Sequence, residues 1–210
     1  WTTHNLICFS LMKKLLGIIV LGLFLSFNTN ADDIKDFQIE GMSVGDSLLD
    51  YMTLNEIKKA KKDKDNIYYN NKSFVSIMSS TKIYNNLKVF DDVYFTLKTK
   101  DKEFIIYAIE GKIMIKDNKK NTCYNEQKII ANDIQKAFPS LNLNMNKFDV
   151  KKSDLKNKDK SVKYIDMKLP LSSLGGEFRV SCHEEKGSKG KVRLFVIINS
   201  AAFAKALGNN

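Results

Sequence analysis

The chain has 210 residues and a formal net charge of +10, and 32 of its 34 basic residues are lysines. Arginine, the residue that binds phosphate and guanine through paired hydrogen bonds, occurs only as Arg179 and Arg193, so the composition argues against a nucleic-acid partner. The abundance of Lys, Asn and Ile is typical of an AT-rich bacterial genome.

Residues 12–31, MKKLLGIIVLGLFLSFNTNA, have the pattern of a secretory signal peptide. Lys13 and Lys14 form a short basic segment, residues 15–27 are apolar, and Ala31 precedes the expected cleavage point. The apolar run is shorter than the roughly 20 residues that cross a bilayer, so we expect cleavage and no transmembrane segment afterwards. No cysteine stands at the expected cleavage point, so no lipid anchor is predicted there. We interpret residues 1–11 as upstream sequence and 32–210 as a single domain.

Two short helices are predicted near the start of the mature chain, after a first strand within residues 32–40. Residues 42–52 have the pattern of a helix entry that Ser43 or Asp46 caps. Thr53 and Glu56 have the spacing of a capping box, so a second helix is expected from Leu54 into the lysine run.

Alternating apolar residues then predict an antiparallel meander. Strands are expected within 66–79 and over Asp92–Lys98, where Val93, Phe95 and Leu97 share one face. A turn after Lys98 brings the chain back over residues 103–110, and Gly111 is expected to allow a bend or bulge before 112–115.

The second half of the chain predicts a covering helix and more strands. Apolar residues recur at helical spacing over 123–138, up to Pro139. An edge strand near 141–145 and a strand over 162–169 follow, and Pro170 is expected to end the latter. Residues 177–182 and 191–198 predict a hairpin, and Ser200 is expected to cap a final helix over 201–207.

These elements predict an α+β fold: an antiparallel sheet, made of a meander and a hairpin, covered by a central helix. Two short N-terminal helices and a short C-terminal helix complete it.

Cys123 and Cys182 are the two cysteines that remain after processing. In an exported protein an even pair is most simply a disulfide, and no C-x-x-C redox motif is present, so the pair is predicted to be structural. Because Cys123 begins the covering helix, the bond would join that helix to a strand.

Residues 45–48 spell GDSL. This string resembles the nucleophile block of the GDSL, or SGNH, esterases and lipases, and the resemblance implies that Ser47 attacks an ester carbonyl. The general base of that family is a histidine three residues after an aspartate. The only mature histidine is His183, and the residue three before it is Val180. The alternative interpretation is a glycine turn with an aspartate cap that opens a helix.

No metal or cofactor site is predicted. His183 neighbours Cys182, but adjacent strand residues point to opposite faces of a sheet, so the two would not share a metal ion and His183 would face solvent. On the non-core face, Tyr94, Tyr107 and Tyr164 are candidates for the lining of a binding cleft.

The lysine runs at 58–64 and 151–160 are interleaved with Asp and Asn. They indicate either solvated segments or a weak association with an anionic membrane surface.

The leader, followed by residues 36–52 (DFQIEGMSVGDSLLDYM), resembles uncharacterised small exported proteins of AT-rich marine bacteria. Its Gly-Met-Ser also resembles the opening of small periplasmic modules of the outer-membrane assembly type. The resemblance implies a periplasmic or secreted protein. We therefore expect a non-catalytic binding or adaptor module for an envelope protein or a small ligand, with a serine esterase built on Ser47 as the alternative.

Overall fold

The computed structural model describes residues 34–64, 66–70, 72–80, 87–116, 119–137, 144–146, 164–171, 176–184 and 191–208. The expected leader, the predicted upstream segment and the lysine run at 151–160 lie outside these ranges. The strands are β1 (Gln38–Ile39), β2 (Met42–Ser43), β3 (Ile67–Tyr69), β4 (Phe74–Ser80), β5 (Asp92–Lys98), β6 (Ala108–Met114), β7 (Asn144–Asn146), β8 (Tyr164–Leu171), β9 (Gly176–Glu184) and β10 (Val192–Ser200). The helices are α1 (Leu54–Ala60), α2 (Lys120–Ala137) and α3 (Ala201–Ala206), with single 3₁₀ turns at Ile34–Asp36 and Leu48–Asp50.

β3 to β10 form one antiparallel sheet in the order β3-β4-β5-β6-β10-β9-β8-β7. The strands β3 to β6 form the predicted meander, and β9 and β10 form the predicted hairpin. The two halves meet where β6 pairs with β10, for example at Ile109 opposite Ile198. The α+β class is confirmed.

One face of this sheet carries the core. Val93, Phe95 and Leu97 are fully buried there, which confirms the alternation predicted for β5. The helix α2 packs against β9 and β10 on this face, and the Gln127 side chain donates a 2.8 Å hydrogen bond to the Val180 carbonyl. The covering helix is therefore confirmed. None of the helices in the described part of the chain is long and apolar enough to cross a membrane.

The segment predicted as the first helix, 42–52, is mostly not helical, and this prediction is wrong. Its backbone pairs with the loop before β6. The Gly45 N–H donates to the Ile106 carbonyl at 2.8 Å, and the Leu48 N–H donates to the Phe104 carbonyl at 2.9 Å. Because these bonds use the groups that a helix would pair internally, only the 3₁₀ turn at Leu48–Asp50 forms. The same pairing engages the backbone of Phe104 and Ile106, within the strand predicted over 103–110, and β6 begins at Ala108.

The second helix forms as the capping-box spacing predicted. Thr53 Oγ1 accepts from Glu56 N–H, and the Glu56 carboxylate accepts from Thr53 N–H at 2.8 Å. These hydrogen bonds to Thr53 hold the pKa of Glu56 below its usual value. At the other end of the chain, Ser200 caps α3 by accepting from Phe203 N–H at 3.2 Å, also as predicted.

Gly111 does not bend its strand. β6 runs through this position in register with β5 and β10, and a Cβ there would lie 2.4 Å from the ring of Phe90. The glycine is needed because the buried Phe90 ring occupies the space of a side chain.

Pro170 does not end β8 either, since the strand continues to Leu171. β7 pairs only with residues 166–168, so no described strand needs a backbone N–H from Pro170 on that side.

The β1–β2 hairpin is fixed to the body of the protein by Glu40. This residue adopts a left-handed conformation, with φ of 55°. Its carboxylate accepts hydrogen bonds from three successive backbone N–H groups, those of Lys88 (3.0 Å), Val89 (2.7 Å) and Phe90 (3.0 Å). The loop that positions Phe90 under Gly111 therefore depends on a residue almost 50 positions earlier.

Replacement of Glu40 by alanine is expected to lower the free energy of unfolding by about 2 kcal/mol, because part-buried N–H groups lose charge-assisted hydrogen bonds. Urea denaturation followed by circular dichroism measures the change. Glu103→Ala, which removes an exposed carboxylate, is the matched control and should change stability by less than about 0.5 kcal/mol. Equal effects of the two substitutions would contradict the anchoring role of Glu40.

Candidate functional site

The Ser47 hydroxyl is engaged in local structure. It donates a 2.6 Å hydrogen bond to the Glu103 carbonyl and accepts one from Leu49 N–H at 3.3 Å as the N-cap of the 3₁₀ turn. A nucleophilic serine needs a base that accepts this proton. His183, the histidine of the described chain, does not contact it. The structure therefore does not bring Ser47 and His183 together.

His183 lies on β9, opposite Arg193 of β10. Its Nε2 is 2.9 Å from Ser181 Oγ, and its ring packs against that of Phe195, with the centroids 4.2 Å apart and the planes tilted by 40°. The side chain is half-buried, so it does not simply face solvent as the alternation predicted. Phe195 on the neighbouring strand provides the cover. Among the described residues no group of three or more His, Cys, Asp or Glu side chains could hold a metal ion.

The predicted disulfide is confirmed. Cys123 at the start of α2 and Cys182 of β9 are joined with an S–S distance of 2.03 Å, and both residues are buried. Cys182 faces the core while its neighbour His183 lies on the other face, as adjacent strand residues must.

The tyrosines proposed to line a cleft are in different places. Tyr94 lies in mid-sheet, where Lys112 Nζ is 3.4 Å from its hydroxyl and forms an ion pair with Asp92. Tyr107 lies at one end of the sheet, beside β5. The side chain of Tyr164 is outside the described part.

Tyr107 borders an open cleft of about 590 Å³ at the end of the sheet, which we call the end cleft. This volume is in the range of small-ligand sites. The cleft is lined by Lys72, Ser73, Lys98, Thr99, Lys100, Asp101, Glu103, Ile105 and Tyr107. These residues come from the turn before β4, the end of β5 and the loop before β6.

Hydrogen bonds between side chains and backbone groups hold the loops that line the end cleft. The two oxygens of Asp101 accept from the N–H groups of Glu103 (2.9 Å) and Ile105 (3.0 Å). On the other side, Thr99 Oγ1 donates to the Lys72 carbonyl at 2.9 Å. These contacts fix both loops without a ligand, so the cleft is largely preformed.

Tyr107 and Lys98 form the aromatic and cationic centre of the end cleft. Lys98 Nζ lies 4.7 Å from the centroid of the Tyr107 ring, and the ring in turn packs edge-on against Phe74 at 5.4 Å. The contact with the Tyr107 side chain raises the pKa of Lys98 and so favours its charged form.

The non-core face of the sheet carries a second unusual group, Glu110. It occupies the middle of β6, between Tyr94 of β5 and Ile197 of β10. Burial raises the pKa of its carboxyl to about 7, although the charges of Lys112 and Arg179 act in the opposite direction. No described residue donates a hydrogen bond to this carboxylate, so the group is partly protonated at neutral pH.

Sequence reasoning found Tyr107 but not the end cleft or Glu110. The lysines of the cleft come from separate turns that are adjacent only after the strands pair, and no short motif links them. Glu110 is simply the last residue of the strand predicted over 103–110. Its position in the middle of the sheet follows from the pairing of β6 with β5 and β10, which the sequence alone does not reveal.

No protein-family model, no curated protein and no solved structure matches this chain.

Proposed function

We propose that this protein is an exported, non-catalytic binding module that receives a small ligand in the end cleft. The observation that carries the proposal is a preformed cleft of ligand size whose charged and aromatic side chains converge on one space. Catalysis is not favoured because the Ser47 hydroxyl is bonded to a backbone carbonyl.

The proposed location is the periplasm or the extracellular space. The Cys123–Cys182 disulfide supports it, because structural disulfides persist in oxidising compartments. The leader-like pattern of residues 12–31 gives the route, with cleavage before Asp32.

An envelope-protein partner is a second candidate, favoured by one observation. β3 forms one edge of the described sheet, and its Ile67 and Tyr68 are 53% and 51% exposed. An exposed strand edge with apolar side chains is a surface on which another chain can pair. A weak association with anionic membranes could add to this, since Lys58, Lys59, Lys62 and Lys64 are exposed around the end of α1.

Native mass spectrometry of the protein purified from its own cells tests the ligand proposal. We expect a species heavier than the apo chain by the mass of one small molecule. Ser73→Trp fills the cleft and should remove that species, whereas Leu54→Trp, at an exposed site outside the cleft, should retain it. If only apo protein is recovered and crosslinking in cells yields one envelope protein near one-to-one, the second candidate replaces the first.

The esterase alternative makes its own prediction. We expect the folded protein to remain unlabelled by a fluorophosphonate probe, because no described base activates Ser47. Ser47→Ala should instead lower stability by about 1 kcal/mol through loss of the cap. A known serine hydrolase in the same reaction controls for probe quality. Labelling of the wild type that Ser47→Ala abolishes would establish the esterase.

A further inference from the structure

We infer that the end cleft binds a small organic anion, a carboxylate or a phosphate ester, whose apolar part lies against Tyr107 and Ile105. This inference depends on the proposed binding function and adds the chemical class of the ligand.

The charge of the end cleft favours an anion. Lys72, Lys98 and Lys100 line it, and all three side chains reach solvent. Of the two acidic residues in the lining, Asp101 turns both oxygens onto the N–H groups of its own loop. A fourth lysine, Lys61, donates to the Thr99 carbonyl at 3.3 Å and adds positive charge behind the wall. The four lysines outnumber the two carboxylates of the lining, Asp101 and Glu103, so the formal charge around the cleft is positive and favours an anion.

The apolar part of the ligand is inferred from the remaining lining. Tyr107 and Ile105 are the large apolar side chains of the cleft, and both are partly exposed. The orientation of the Tyr107 ring is set by Phe74 on one side and by Lys98 on its face. A fixed ring loses little conformational entropy on binding, so it suits contact with a planar or aliphatic group.

Lys98 is the residue on which the anion should depend most. It is held on the Tyr107 ring next to the apolar side chains, and the contact with Tyr107 favours its charged form. An anionic group bound by Lys98 therefore places the rest of the ligand over Ile105 and Tyr107.

The test is isothermal titration of the full mature chain with phenyl phosphate, benzoate, phenol and inorganic phosphate. We expect at least one of the two aromatic anions to bind about tenfold more tightly than phenol and than inorganic phosphate. Tighter binding of phenyl phosphate indicates a phosphate ester as the ligand, and tighter binding of benzoate indicates a carboxylate. Lys98→Met should weaken binding of the aromatic anion about tenfold, whereas Lys98→Arg should retain it. Lys58→Met, an exposed lysine on α1 outside the cleft, is the matched control and should have no effect.

Three results would overturn the inference: no binding of either aromatic anion, equal binding of phenol and phenyl phosphate, or equal binding by Lys98→Met and wild type. Each leaves the wider binding proposal intact if native mass spectrometry still finds a small molecule that Ser73→Trp removes. If native mass spectrometry finds no ligand-bound protein, the binding proposal itself is rejected. The failure of the anion inference and the failure of the binding proposal can therefore be told apart.

Discussion

Removal of the Cys123–Cys182 disulfide is expected to lower the free energy of unfolding by about 4 kcal/mol. The cysteines are 59 positions apart, and in the chain-entropy model a closed loop of that length restricts the unfolded chain by roughly this amount. This is a large fraction of the 5–15 kcal/mol that is typical of a whole domain.

The location of the bond adds to its importance. It joins the start of α2 to β9, the strand that pairs with the central β10, and both sulfurs are in the core. When the bond is reduced, α2 is held on the sheet by packing and by contacts such as the Gln127–Val180 hydrogen bond.

Urea denaturation of the oxidised protein and of Cys123→Ala/Cys182→Ala measures the effect, and alanine avoids burial of new hydroxyl groups. An intact mass lower than that of the reduced form by two hydrogen atoms confirms the starting state. Treatment of the double variant with reductant is the control and should change nothing. A loss of less than about 1 kcal/mol, or two alkylatable thiols in freshly exported protein, would contradict the prediction.

Glu110→Gln is expected to stabilise the protein by up to about 3 kcal/mol at pH 8. Burial raises the folded-state pKa of Glu110 from its ordinary 4.5 to about 7. Between these values the folded state retains a proton that the unfolded state has released, so wild-type stability falls as pH rises from about 4.5 to 7 and is level above. Glutamine stays neutral at every pH and does not carry this cost.

The measurement is the free energy of unfolding of wild type and variant at intervals between pH 4 and pH 8.5. The difference between them should be near zero at pH 4, grow through the interval from 4.5 to 7 and then remain constant. Glu103→Gln, at an exposed carboxylate, serves as the control and should show no such trend. A difference that is the same at pH 4 and pH 8 would show that Glu110 does not titrate in this way.

The parts of the fold that the sequence predicted are those fixed by local chemistry. The alternation of Val93, Phe95 and Leu97 places one strand, and the Thr53–Glu56 spacing starts one helix. Ser200 caps the last helix for the same local reason. The disulfide was predicted from the two cysteines that follow the expected leader, Cys123 and Cys182.

The parts that could not be predicted depend on partners far away in sequence. The segment 42–52 has helical spacing, but the N–H groups of Gly45 and Leu48 donate to the carbonyls of Ile106 and Phe104, because the sheet brings that loop alongside. Gly111 has the signature of a bulge, and only the position of Phe90 explains it. The end cleft is unpredictable for the same reason, since Lys72 and Lys98 become neighbours through the β4–β5 register.

The position of β10 has a consequence for the order of folding. This strand lies in the middle of the described sheet, between β6 and β9, although the chain reaches it after all other strands. Until residues 192–200 are available, β3–β6 and β7–β9 are two half-sheets, each with an unpaired inner edge. Such edges invite pairing with other molecules, and long-range strand pairing is slow. Assembly of the native sheet must therefore wait until residues 192–200 can join it, and the two half-sheets need protection from aggregation during that interval.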